Sequence, residues 1–354
     1  MHPKDPTMAA KHDTKSVNLA LQGGGAHGAF TWGALDRLLD EPRLEIDGIS
    51  GTSAGAMNAA MLKTGFLDGG RAGAQRQLDA FWSEIKRQAA RNVNPLSDWI
   101  AFFSNDAAKI ANAVFLSPVY QAQDAFSRTV SPYDWNPLNI NPLRELLEDM
   151  IDFEAVCKEC EPHLFISATN VKTGKIKVFD DDDLCVDMIL ASACLPNLFQ
   201  AVEVDGEFYW DGGYMGNPAL FPLFYHAASS DVIIVHVNPI ERPEVPRTAA
   251  DIQNRINEVS FNSSLLRELR VVDFVRRLIA EGRLQPGEMK DVLIHAIRDD
   301  ATMARLNVAS KLSPEPELFD YLKTEGQRVA DTFLRENWDK LGSESSVDLR
   351  EMFT

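Results

Sequence analysis

The chain has 354 residues, 45% of them hydrophobic and 25% charged, and a formal charge of -17. That length buries a substantial core in one large domain or two modest ones, and that acidity argues against non-specific nucleic-acid binding, where Lys and Arg must neutralise phosphates. Four cysteines are too few for a disulfide scaffold, the polar N-terminus lacks the apolar core of a signal peptide, and no run of about 18 apolar residues marks a transmembrane helix.

A cytoplasmic location is therefore expected. Peripheral contact with a membrane surface is compatible with it, because a local apolar patch can act against an unfavourable global charge. Residues 1–15 read as a disordered tail. "SVNLALQGGG" then reads as a short buried strand, Ser16 to Leu21, ending in glycines. "AFTWGALDRLLDE" follows with Phe30, Ala34, Leu35, Leu38 and Leu39 at helical spacing. "LEIDGIS" is a second strand, and "SAGAMNAAMLKTG" a helix with Gly65 as its C-cap. Strand, glycine turn and helix thus occur twice within the first 65 residues, which predicts an α/β fold with a largely parallel sheet flanked by helices.

Residues 72–91 read as another helix. The segment 92–142, rich in proline and scattered aromatics, predicts a helical insertion or cap, or an ordinary extra layer over the sheet. Trp99, Phe102, Phe103, Phe115, Tyr120 and Phe126 lie in it, and their spacing fits a lipid-facing surface as well as a buried helix pair. Beyond it come a helix over "LRELLEDMI", a strand and hairpin around Thr173-Gly174, and a short strand in "DGEFYWDGGYMGN". Strand cores follow at 231–237 and 291–297, with a long helix or bent pair over 251–280 between them. A helix over roughly 315–340 precedes a tail, 341–354, expected to be frayed. The organisation is a single domain over 16–340 carrying the insertion.

Three motifs carry chemistry. Gly51-Thr52-Ser53-Ala54-Gly55 matches G-x-S-x-G, the nucleophile elbow. The two glycines are needed because a side chain at either would crowd the neighbouring strand or helix. The helix N-terminus just after the turn places unpaired N–H groups beside the serine. Ser53 as a plain helix cap remains the competing reading. "GGGAHG", Gly23 to Gly28, is an anion-cradling turn after the first strand. Read from Gly23 it also fits G-x-G-x-x-G, with Glu41, Glu45 and Asp47 about 20 residues on, so a dinucleotide site or a non-enzymatic role for the loop is the alternative function. The third motif is Asp211-Gly212-Gly213.

Taken in that order, these motifs resemble the patatin-like phospholipase family, with its G-G-G-x-[RK]-G loop, G-x-S-x-G serine and D-G-[GA] aspartate. The resemblance spans roughly residues 16–300. It implies a serine acyl-ester hydrolase acting on lipid or phospholipid through an acyl-enzyme, with Ser53 as nucleophile, Asp211 as its partner and no cofactor. Gly24, Gly25 and Ala26 would supply an oxyanion hole, and Gly23, His27, Gly28, Gly51, Gly55, Gly212 and Gly213 would support the loops. Leu195, Pro196 and Phe199, in the helix end leading to Asp211, would shape an acyl pocket, though each fits ordinary core packing equally well. His27 departs from the family's Arg or Lys, and at its unperturbed pKa of about 6.5 it would be only partly charged at neutral pH. A Ser-Asp-His triad drawing on His226, His236 or His295 is the rival within the class. "CKECEPH" brings Cys157, Cys160 and His163 close together, with Cys185 or Cys194 as a distant fourth, but lacks the second half of a zinc pattern. No metal is assigned. "FDDDDL", Phe179 to Leu184, reads as a solvated loop.

Overall fold

A computed structural model describes residues 14–90, 129–159, 161–180, 184–285, 287–312 and 316–354. Among the described residues eight strands form one sheet: β1 Lys15–Leu21, β2 Leu44–Gly51, β3 His163–Asn170, β4 Ile176–Phe179, β5 Val202–Val204, β6 Glu207–Asp211, β7 Asp231–Val235 and β8 Leu293–Ile297. Their order is β5-β6-β3-β2-β1-β7-β8, with β4 also paired to β3. The strands from β3 to β8 along that path are parallel, whereas β4, β5 and β6 pair antiparallel. The family-like α/β architecture expected from the sequence is the one observed.

The central strands are apolar on both faces because helices cover both. Along β1, Val17, Leu19 and Leu21 point into one core, and Ala20 points into the other. The larger core is closed by helices α1 (Gly28–Leu39), α2 (Ala54–Ala90), α3 (Pro142–Met150), α4 (Val186–Ser192) and α7 (Pro316–Asn337). The smaller is closed by α5 (Ala249–Ala280), whose Leu265, Leu269 and Val272 share one buried cluster with Val232 and Ile234 of β7. Between them in sequence lies the short α6 (Val308–Leu312). Among the described residues no helix is long and apolar enough to cross a membrane.

Two expectations are corrected by the structure. Gly65 does not end its helix: α2 runs on and breaks at Gly69 and Gly70, where Gly70 takes φ 58°, and Gly65 packs against Gly73. The C-terminal segment is not frayed, because α8 (Leu349–Phe353) buries Leu349 and Met352 in the smaller core. Of the two alternatives for 251–280, the single long helix is the one observed. Most of the segment 92–142, including its six aromatics, lies outside the described residues. So do residues 1–13, Cys160 and Asp181–Asp183.

The pairing of β1 with β2 fixes where their loops emerge. Leu21 faces Gly51 across the ladder, so the chain leaves both strands at the same level. The glycine loop after β1 and the serine turn after β2 must then lie side by side at the C-terminal edge of the sheet. That edge is where ligand crevices form in sheets of this kind. Asp211 reaches the same edge on β6, paired with Ala168 of β3, two residues beyond the β2 partner Ile166.

Candidate active site

Ser53 sits in the turn between β2 and α2 with φ 54°, a left-handed conformation that costs a non-glycine residue and marks a constrained position. Two contacts hold it there. Its N–H donates to the buried Ser192 hydroxyl at 2.9 Å, and its carbonyl accepts the Met57 N–H at 3.1 Å as α2 begins. The flanking glycines are sterically required: a Cβ at Gly55 would come 2.2 Å from the Leu21 carbonyl oxygen, and one at Gly51 2.6 Å from the Gly55 carbonyl oxygen. Neither obstacle is a side chain that can swing away. Gly55→Ala is accordingly expected to destabilise the protein by about 3 kcal/mol or more. Thermal unfolding checks this, and an unchanged midpoint would show that the turn relaxes freely.

The glycine loop lies against that turn. A Cβ at Gly23 would meet Ser53 Cβ at 2.7 Å, and one at Gly28 would meet Ala54 Cβ at 2.8 Å. Where a dinucleotide pyrophosphate would rest on such a loop, the serine turn is already packed. Gly25 takes φ 57° and opens a tight 3-10 turn, Gly25–His27. The first bond of that turn runs from the His27 N–H to the Gly24 carbonyl at 3.2 Å, leaving the Gly25 and Ala26 N–H groups outside its ladder.

A buried amide network not foreseen from the sequence fixes the loop. The Gly23 N–H donates to Asn217 Oδ1 at 2.6 Å, and Asn238 Nδ2 donates to the Gly23 carbonyl at 2.8 Å. Gln22 Oε1 accepts the N–H groups of Val237 and Asn238, both at 3.0 Å, while its Nε2 donates to Asn262 Oδ1 at 3.0 Å. Such a network is rigid because every member is satisfied by another. Its only sequence signal is the run of amides flanking the motifs.

Asp211 ends β6 fully buried, its N–H donating to the Cys194 carbonyl at 2.8 Å and its carbonyl accepting the Thr169 hydroxyl at 2.9 Å. Its carboxylate Oδ1 accepts the Gly213 N–H at 2.7 Å, whereas Oδ2 is buried with no hydrogen-bond partner. Burial drives this carboxyl up to about 7, against the opposing pull of the Gly213 N–H and the nearby Ser53 hydroxyl. That hydroxyl is close enough to influence the carboxyl yet makes no full hydrogen bond with it. Gly212 and Gly213 are as constrained as the other glycines, since a Cβ at either would lie 2.1 Å from the Ser167 carbonyl oxygen or 2.3 Å from the Phe261 ring.

Gly24, Gly25, Ala26, Ser53 and Asp211 open together onto a cavity of about 510 Å³. Leu195, Pro196 and Phe199 line it as well. Much of its apolar wall carries no signal in the sequence: Met57, Phe81, Trp82, Ile85, Leu143 and Leu198. Trp82 is locked in place by stacking on Trp32, with ring centroids 6.1 Å apart, and by donating from Nε1 to Asn58 Oδ1 at 2.8 Å.

No histidine lines this cavity among the described residues. His226 is exposed on the Phe165 ring, His236 is buried in the sheet layer, and His295 pairs with Asp231 at 2.8 Å. His27 corrects the expectation of partial charge. It is buried, and desolvation, followed by the field of Lys311, holds its pKa well below the usual value, so it is neutral. Its Nε2 instead meets the Ser310 hydroxyl at 2.8 Å and ties the loop to α6. Among the described residues no group of three or more His, Cys, Asp and Glu side chains is placed to hold a metal ion.

No curated protein sequence matches the chain. Among solved structures, VipD from Legionella pneumophila is similar at 14% identity with a TM-score of 0.35, over 90% of this chain and 67% of VipD. The ExoU-SpcU complex from the type III secretion system of Pseudomonas aeruginosa is similar at 18% identity and a TM-score of 0.29, over 96% of this chain and 75% of the matched one. The family model for patatin-like phospholipases matches residues 19–224, more than half of the chain and the span that holds all three motifs. A parallel sheet whose C-terminal edge brings a glycine loop, an elbow serine and a buried aspartate to one cavity belongs with that match, and the chain is a member of the patatin-like phospholipase family, a lipid-acting hydrolase class.

Proposed function

We propose that the protein is a serine acyl-ester hydrolase working through a Ser53–Asp211 dyad. The observation that carries this reading is the unpartnered Oδ2 of a buried aspartate in the same cavity as a serine held in left-handed backbone. An orphaned buried carboxylate oxygen costs stability, and a catalytic role accounts for its being kept. Here it is the acceptor for the serine proton.

In this reading Ser53 Oγ attacks the ester carbonyl carbon as its proton passes to Asp211 Oδ2. The carbonyl oxygen becomes an oxyanion held by the N–H groups of Gly24, Gly25 and Ala26, donors fixed beforehand by the amide network. Collapse of the tetrahedral species breaks the ester C–O bond, and Asp211 returns its proton to the departing alcohol. Water then attacks the acyl-enzyme, giving its proton to Asp211, and the free acid leaves as Ser53 recovers its hydrogen. The raised pKa suits both steps, because a carboxyl near 7 is a far better base than one near 3.8. The packed serine turn over the glycine loop and the family membership both weigh against the nucleotide-binding alternative.

A fluorophosphonate probe tests the reading directly. Covalent labelling at Ser53, together with hydrolysis of p-nitrophenyl esters, is expected. No labelling and no turnover would overturn it. The apolar wall also predicts a chain-length optimum, with each buried methylene contributing about 0.8 kcal/mol, or roughly fourfold in kcat/KM. Leu195→Trp should shift that optimum to shorter acyl chains. An unchanged profile would place the acyl chain elsewhere.

A further inference from the structure

We propose that Lys311 is the anion-binding residue of this cavity, holding the phosphate group of a phosphate-bearing acyl ester while Ser53 acts on the ester bond. The proposal builds on the hydrolase reading and lies outside the three motifs and outside residues 19–224.

The cavity lining divides by chemistry. Beside its apolar wall, α5 presents Gln253, Asn257 and Phe261, four residues apart and so on one helix face, and α6 presents Lys311. The Lys311 ammonium donates to Asn238 Oδ1 at 2.7 Å and to Asn257 Oδ1 at 3.4 Å. Both partners are neutral. Among the described residues no carboxylate stands within ion-pair distance of it. Glu258, the acid whose field reaches it, is engaged by Arg242 at 2.6 Å and Arg255 at 3.3 Å. Lys311 is therefore a half-buried cation whose charge is solvated by amides and left uncompensated. Taking an ammonium out of water without a counter-charge is unfavourable. With three N–H donors and two amide partners, one donor remains for a visiting anion.

Its placement beside the loop is enforced by packing. A Cβ at Gly25 would come 2.4 Å from the Lys311 carbonyl oxygen, so α6 lies directly on the glycine loop. The His27–Ser310 contact at 2.8 Å pins the residue next to Lys311 to the same loop. The neutral imidazole thus anchors the helix that supplies the charge. In a chain of net charge -17, long-range attraction of an anionic substrate is absent, so a local cation must decide whether such a substrate is accepted. A neutral ester would gain nothing from it.

The test is binding to Ser53→Ala, which separates recognition from turnover. Calorimetric titration would use short-chain phosphatidic acid, the diacylglycerol with the same acyl chains, and inorganic phosphate. The phosphatidic acid is expected to bind at least about tenfold more tightly than the diacylglycerol. That preference should collapse when Lys311→Met is added and persist in part with Lys311→Arg. Three results would overturn the proposal: no preference in the first place, a preference that survives Lys311→Met, or equal weakening of both lipids, which would mean that Lys311 only supports the cavity wall. Lys311-dependent binding of inorganic phosphate without any lipid preference would also overturn it, assigning the site to a free anion. If the preference holds while wild-type protein resists the fluorophosphonate probe, the hydrolase reading fails and the Lys311 assignment stands.

Discussion

Ser53→Ala is expected to lower kcat/KM for a medium-chain p-nitrophenyl ester by about 10⁴-fold or more, the scale seen when a nucleophile is removed from a catalytic unit whose remaining parts still bind substrate. Covalent labelling should vanish with it. The fold should not: alanine keeps the Cβ that packs on the glycine loop, and the Ser192 contact is made by the backbone N–H rather than the hydroxyl. A melting temperature within a few degrees of wild type is expected. Retained turnover in a folded variant would remove Ser53 from the chemistry and return it to the role of a helix cap. Loss of both turnover and folding would be uninformative for the serine alone, which is why the probe, reporting on the hydroxyl of the folded wild-type protein, belongs beside it.

The parts of this site that can be read from the sequence are those whose chemistry demands residue types at fixed short spacing. Gly51 and Gly55 bracket Ser53 because each stands against backbone, 2.6 and 2.2 Å from where its Cβ would be. No other residue type fits, so the spacing survives as a pattern. The alternation of β1 and the apolar cores of β7 and β8 are legible for the same reason, since local periodicity reports on two-faced burial. What escapes are features created only when distant segments meet. Gln22 is bonded to Val237, Asn238 and Asn262, more than 200 residues away, and nothing local distinguishes it from a surface glutamine.

Charge is the least legible property. From the sequence His27 reads as a half-charged substitute for a basic residue. In the folded chain its ring is buried beside Lys311, and both burial and that neighbour drive it neutral. The charge sits instead on a lysine 284 positions further along than His27, as their numbers show. Helix boundaries fail for a related reason. Gly65 reads as a cap, yet tertiary packing against Gly73 uses its missing side chain and the helix continues. Likewise Leu349 and Met352 read as the end of a frayed tail, but the smaller core, formed by β7 and α5, gives them somewhere to go.

Asp211→Asn should separate function from stability. Turnover is expected to drop by about 10³-fold or more, because an amide cannot take the serine proton. In the wild type, kcat/KM should rise with pH to a plateau with an apparent pKa of about 7, falling roughly tenfold per pH unit well below it, since only the ionised carboxyl accepts the proton. The same raised pKa acts on the fold. A carboxyl moved from 3.8 to about 7 holds its proton more tightly in the folded chain than in the unfolded one. Its contribution is therefore fully present below about pH 4 and is lost progressively as pH rises to about 7, by up to roughly 4 kcal/mol at 1.4 per pH unit. Asparagine cannot ionise and escapes that loss. The melting temperature of Asp211→Asn relative to wild type should accordingly climb between about pH 4 and pH 7 and level off above that, while its activity stays negligible throughout. Parallel stability profiles for the two proteins would show that the carboxyl is not held in a charge-hostile site, and with that the argument for its service as a base near neutral pH would lose its physical footing.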